Sequence, residues 1–184
     1  MELQDKISLG SISRRYFFSK GFDGTLTAIG IAVGSYLSGV SSGFTVFKVG
    51  VGAAIGLATS GVWSVWEIEK AEKMAEIHEM EDQMMEDLEG TEFHEKKREK
   101  RVENSLMSGF GPVLAVLISI SPFLLVPQIS MFQATISSVV LGSLLLFSFG
   151  AYMSTISREN MVVAGLRMGL AGLVVAALNI VLPG

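Results

Sequence analysis

Apolar residues in this chain gather into long runs that charge barely interrupts. Of the 14 Lys and Arg, none lies between Arg101 and Arg158, and only Lys48 lies between Lys20 and Lys70. Apolar stretches of about 18 residues or more predict helices that cross a bilayer. The pattern predicts five such spans, at 21–40, 44–66, 107–126, 131–154 and 161–182. Ahead of them, residues 1–20 interleave Ile7, Leu9 and Ile12 with Lys6, Arg14, Arg15 and Lys20, which predicts an amphipathic lead-in on the membrane surface. Between spans two and three the pattern turns sharply polar. Nothing from Trp66 to Leu88 breaks a helix, Gly90 is a good stop and Thr91 a good N-cap, so 67–106 reads as an uneven helical hairpin. The expected fold class is an all-α integral membrane protein with five transmembrane helices and a cytoplasmic acidic helical hairpin between helices two and three. Its parts are the lead-in (1–20), helices one and two (21–66), the hairpin (67–106) and helices three to five (107–184).

Spans one and two are rich in small residues, with Gly30 and Gly34, and Gly52 and Gly56, each paired on one helical face for close packing. Span three holds Pro112 and Pro122, with Pro127 at its end. Lys and Arg number four in the lead-in, seven in 67–106 and two in 155–167, and none in the loops at 41–43 and 127–130. Positive residues stay inside. Five spans with a cytoplasmic N-terminus place all three basic regions in the cytoplasm and the C-terminus on the far side. No cleavable signal peptide is expected, because the first apolar run is too long and too Gly-rich for one. The expected membrane is the plasma membrane in a prokaryote and the vacuolar membrane in a eukaryote.

The acidic hairpin carries the densest chemistry. Glu69, Glu72, Glu76, Glu79, Gln83 and Glu86 follow one another at steps of three and four, which places them on one stripe of a helix. Met74, Ile77, Met84 and Leu88 form a second stripe. Stacked carboxylates repel by a few tenths of a kcal/mol per pair, and a bound cation reverses that sign. Carboxylates with thioethers nearby, here Met80, Met84 and Met85, and with His78, suit borderline transition metals. The plainer reading is a solvated acidic face.

Within the spans, Asp23 is the one acidic residue. Intramembrane charge costs about 2.5–3.5 kcal/mol or more and by default marks an ion path, although Lys20, three residues earlier, offers a simple partner. Thr59, Ser60, Ser64, Tyr152 and Asn179 are the other polar groups at depth, and intramembrane hydroxyls mostly bond back to their own helix. Trp63, Trp66 and Tyr152 suit the headgroup level. The chain has no Cys, which excludes disulfides and thiolate sites. No nucleophile–base set, phosphate loop or cofactor motif is present, so an enzyme is not expected, nor a cofactor beyond a bound or transported Fe²⁺, Mn²⁺ or Zn²⁺. The expected partners are lipid, divalent metal ions, protons and a second copy of the chain; nucleic acid is not among them.

Several segments in order resemble the vacuolar iron transporter family. They are Gly21-Phe22-Asp23-Gly24, similar to the family's asparagine–aspartate–glycine motif, the Pro122 to Pro127 close of span three, FGAYMS at 149–154 and AGLRMGLAGLV at 164–174. The resemblance implies proton-coupled movement of ferrous iron, and often manganese, out of the cytosol. It also implies a homodimer with the ion path between span-one helices, and a cytoplasmic domain that gathers metal through Glu-x-x-Glu pairs and methionines. By resemblance, Asp23 matches the span-one aspartate, Glu69-x-x-Glu72 and Glu76-x-x-Glu79 the paired glutamates, and Met84-Met85 the methionine pair, with Glu86 as a following acid. The chain departs from the family at Ala58 and Val62, where a methionine and a glutamate usually flank a glycine aligned with Gly61. Its insertion is also shorter. A divalent-metal exporter is the leading expectation. A membrane-anchored metal-binding or sensing protein, and a chaperone-like protein whose acidic helix docks a partner, are the alternatives.

Overall fold

A computed structural model describes residues 2–84 and 92–182, with side chains at 12–77 and 100–182. Its order is α1 (Glu2–Leu37), α2 (Gly43–Met84), α3 (Glu92–Ile120), a 3-10 helix (Ser121–Leu125), α4 (Met131–Ser157) and α5 (Met161–Val181). No strand occurs among the described residues.

The expected lead-in and span one are a single helix, α1, with no break near residue 20. α1 lies in the middle of the bundle. It touches every other α-helix, most extensively α3, while α2 packs on α3 and α4 on α5. Ala28 and Ala32 of α1 form one buried cluster with Val46 and Ala54 of α2, Val116 and Ile120 of α3, Phe123 and Ala134, while Ile29 and Val33 on its other side pack with Ala176 of α5. Small side chains let these helices close up where burial in lipid offers no hydrophobic drive.

Among the described residues, four helices are long and apolar enough to cross a membrane, at Gly43–Ile77, Lys100–Leu125, Met131–Ser157 and Met161–Val181. α1 is not among them, so four of the five expected spans meet that measure. The physical reason lies in its position. Helices around it shield its Gly-, Thr- and Ser-rich stretch, so α1 needs less apolar surface than a helix facing lipid.

At ~1.5 Å rise per residue, the 42 residues of α2 extend ~63 Å, about twice a ~30 Å hydrocarbon core. Its C-terminal half, the acidic arm, therefore projects beyond the apolar bundle as a direct continuation of span two. The basic arm likewise runs unbroken into α3. The turn expected at Gly90 and Thr91 lies outside the described residues.

Span three ends earlier than the apolar run predicts. α3 stops at Ile120, and a 3-10 helix with Pro122 in its first turn takes the place of the expected continuation to Val126. Proline cannot supply the N–H that an α-helix needs there. Pro112, by contrast, stays inside α3, and the carbonyl four residues earlier, on Ser108, loses its usual donor. That carbonyl lies against Gly61 of α2, where a Cβ would come within 2.8 Å of it. Only glycine allows that approach. The ends of the last two helices follow their local chemistry: Ser130 and Gln133 form a reciprocal capping box at α4, and the Asn160 side chain caps Val162 N–H at α5.

Candidate functional site

Two polar clusters sit where the acidic arm and the basic flanks meet the bundle. The first joins α1, α2 and α3. Its centre is Glu69, 6% exposed. One carboxylate oxygen, Oε1, accepts from Tyr16 Oη at 3.3 Å and from Asn104 Nδ2 at 3.1 Å. The other, Oε2, lies 3.2 Å from Lys73 Nζ. Ser13 Oγ donates to Asn104 Oδ1 at 2.6 Å, which extends the network further along α1. Burial is the main cause that pushes the Tyr16 phenol above its ordinary value. The Glu69 charge, its hydrogen bond and the Glu72 charge add to that shift, and Arg15 opposes it.

The glutamates of the expected stripe therefore differ in burial. Val65, Glu69 and Ile77 are buried at steps of four and eight, and Lys73 between them is half-buried. Glu72 and Glu76, on the same stripe, are exposed. The apolar stripe divides as well: Ile77 is buried while Met74 is exposed. Glu72 still reaches the network's edge, where it lines a cleft of about 330 Å³ with Ile12, Arg15, Tyr16, Ser19 and Glu69. The side chains of Glu79 and Met84 are outside the described set, and Met85 and Glu86 are outside the described residues altogether. Among the described residues, no group of three or more His, Asp or Glu is arranged to hold a metal ion.

The second cluster surrounds Asp23. Its side chain is 53% exposed and lies 3.9 Å from Lys20 Nζ, an open i, i+3 pair of the kind worth little in water. The carboxylate faces a groove of about 500 Å³ lined also by Arg15, Phe18, Ser19, Phe22, Met153 and Met168. One wall is aromatic, since Phe18 stacks on Tyr152 at 4.8 Å and meets Phe149 edge-on at 5.2 Å. Arg14 Nη1 donates to Tyr152 Oη at 3.4 Å, so Tyr152 is held by protein partners. Gly21 admits Phe149, for a Cβ there would lie 2.9 Å from its ring. Arg101 stacks over Trp66 at 5.1 Å where α2 and α3 leave the apolar bundle.

Positions 58 and 62, where the resemblance expects a methionine and a glutamate, form part of the α2–α3 seam. A Cβ on Gly109 would meet Val62 Cγ2 at 2.6 Å and the Ala58 carbonyl at 3.2 Å. Thr59 and Ser64 bond back to Ile55 O and Gly61 O, as expected of hydroxyls at depth.

A family model described as the VIT family matches residues 63–182. The chain belongs to the VIT family. The matched region runs from the end of span two through the acidic arm to the end of α5, well over half of the chain. Membership makes this VIT protein a multi-pass membrane protein of a metal-ion transporter family. No curated protein matches the chain.

Sequence reasoning did not find Tyr16, Lys73, Asn104, Met153 and Met168 as parts of these clusters. Lys73 had a signal, being four residues from both Glu69 and Ile77. The others acquire meaning only from helices distant in the chain.

Proposed function

We propose that this VIT protein moves Fe²⁺ or Mn²⁺ out of the cytosol in exchange for protons, as a twofold dimer. The observation that carries this reading is Asp23, a half-exposed carboxylate that faces an open groove with Arg15 in its lining and Lys20 Nζ 3.9 Å away. A cation bound there relieves the cost of intramembrane charge, and a proton can take its place. Glu72 and Glu76, exposed on the arm, gather metal together with Glu79, Met84, Met85 and Glu86. Glu69 holds the arm to α1 and α3. Cytoplasmic placement of the N-terminus and both arms agrees with the Lys and Arg distribution.

The dimer reading draws on α2. A Cβ on Gly52 or Gly56 would meet nothing within 4 Å, so their face is open within the chain, next to a 72%-exposed Trp63. Small residues there suit a close symmetric contact.

A second reading, a membrane-anchored metal-binding or sensing protein that does not transport, is favoured by Val62. Its side chain packs against α3 and brings no second carboxylate to the bundle. Proteoliposomes separate the two. Transport predicts Fe²⁺ or Mn²⁺ flux that depends on a pH gradient and is lost in Asp23→Asn, while metal binding by the arms persists. No wild-type flux under any gradient leaves the binding protein as the better account.

A further inference from the structure

The groove beside Asp23 holds sulfur as well as oxygen. Contacts among α1, α4 and α5 set the level of each donor. Gly142 of α4 lies against Thr25 and Ile29 of α1, with a Cβ there 3.3 Å and 2.9 Å from their side chains. Gly172 of α5 meets Ile29 and Ser143, with distances of 3.0 Å and 2.9 Å by the same measure. Further along, a Cβ on Gly30 or Gly34 would lie 3.8 Å or 3.9 Å from the Asn179 side chain. α5 therefore runs parallel to α1. Met168 precedes Gly172 by four residues, as Thr25 precedes Ile29, so it stands at the level of Asp23 and Thr25. Met153 follows Phe149 on α4 and lies toward the Arg15 end of the groove, beside the Tyr152 that stacks on Phe18. Both methionines are half-buried.

A thioether cannot donate a hydrogen bond to a carboxylate, and neither group can neutralise the other. What a carboxylate oxygen and a thioether sulfur share is a cation, and thioethers select softer ones than oxygen alone does. Arg15 and Lys20 are the cationic side chains at the groove, and Lys20 stays 3.9 Å from Asp23. We infer that Met168 supplies a thioether ligand, together with the Asp23 carboxylate, to a borderline or soft divalent transition-metal ion in the groove between α1, α4 and α5. Met153 lies nearer the mouth as a secondary donor. The inference rests on the transport reading for its role in selectivity, and its binding chemistry can be read apart from transport.

The test uses the full-length protein as wild type, Met168→Leu, Met153→Leu and Asp23→Asn, with Cd²⁺ as the soft probe and Mn²⁺ as the hard one. Leucine keeps volume and apolarity while removing sulfur. Met168→Leu should lower the Cd²⁺-to-Mn²⁺ flux ratio by about tenfold, with a smaller drop in Met153→Leu. An unchanged ratio, whether both fluxes fall together or neither moves, makes Met168 a packing residue and overturns the inference. If the wild type carries neither ion, the transport reading fails, and the ratio is read from equilibrium binding in detergent. There, a Cd²⁺ preference lost in both Met168→Leu and Asp23→Asn supports the site. A preference equal in all four proteins overturns it.

Discussion

Glu69 and Lys73 form an ion pair one turn apart on α2, with Nζ to Oε2 at 3.2 Å and only 8% and 15% of their side chains exposed. The pair sits on the helix face that Val65 and Ile77 bury on either side. Breaking such a pair leaves a buried charge without its counter-charge, which costs about 3–5 kcal/mol. Lys73→Met should therefore destabilise the protein by up to that amount. Glu69→Gln removes the charge but keeps an oxygen for Tyr16 and Asn104, and should cost less. Thermal unfolding of both variants in one detergent checks the order. A larger loss in Glu69→Gln contradicts it.

Tyr16 should ionise above its ordinary value of 10.0, because burial and the Glu69 carboxylate both disfavour the phenolate. A group whose folded-state value is raised contributes stability that is whole below the unfolded value. That contribution is lost as pH rises through the folded value. Stability from Tyr16 is thus intact at neutral pH and declines only above 10.0. An ultraviolet titration of wild type against Tyr16→Phe isolates this phenol. Glu69→Gln should bring it partway back, since burial remains. No movement in Glu69→Gln removes the carboxylate as a cause.

Two glycines with opposite surroundings test the packing. A Cβ on Gly24 would lie 2.7 Å from Pro112 Cα and 2.9 Å from its carbonyl oxygen, both backbone atoms that cannot step aside. Gly24→Ala should destabilise by about 1–3 kcal/mol. Gly52→Ala has nothing to meet within 4 Å of that Cβ and should be neutral or slightly stabilising within one chain. Gly56→Leu fills the same open face, and should shift the protein from dimer toward monomer in mass photometry if two copies meet there.

Metal binding by the acidic arm should not draw on every glutamate of the stripe alike. Glu72→Gln with Glu76→Gln and Glu79→Gln should weaken Mn²⁺ or Fe²⁺ binding by about tenfold or more, as loss of carboxylate ligands does. Glu69→Gln should change it less than about twofold, because Lys73 already neutralises that carboxylate. Isothermal titration on the full-length variants separates the two. An equal loss in Glu69→Gln would return Glu69 to the metal site.

Much of the helical framework could be read from residue order alone. Span four from Met131 and span five from Met161 begin where the apolar runs do, and the acidic arm continues span two without a break. The reason is local: in lipid an apolar backbone must satisfy its own hydrogen bonds, and a charge-free run long enough to cross forms a helix. Asp23 likewise stood out through rarity, as one acid among apolar neighbours. Tertiary structure decided what each helix faces. Glu69 carries the same local pattern as Glu72 and Glu76, yet its partners Asn104 and Tyr16 are 35 and 53 positions away in the chain, and no periodicity within α2 encodes them. The four neighbours packed around the less apolar α1 are likewise set by tertiary contacts alone. Met168 becomes a companion of Asp23 only because the glycines of α4 and α5 let α5 run beside α1 in that register. Helix formation depends on a residue's near neighbours, whereas burial and pairing depend on which distant surface closes over it.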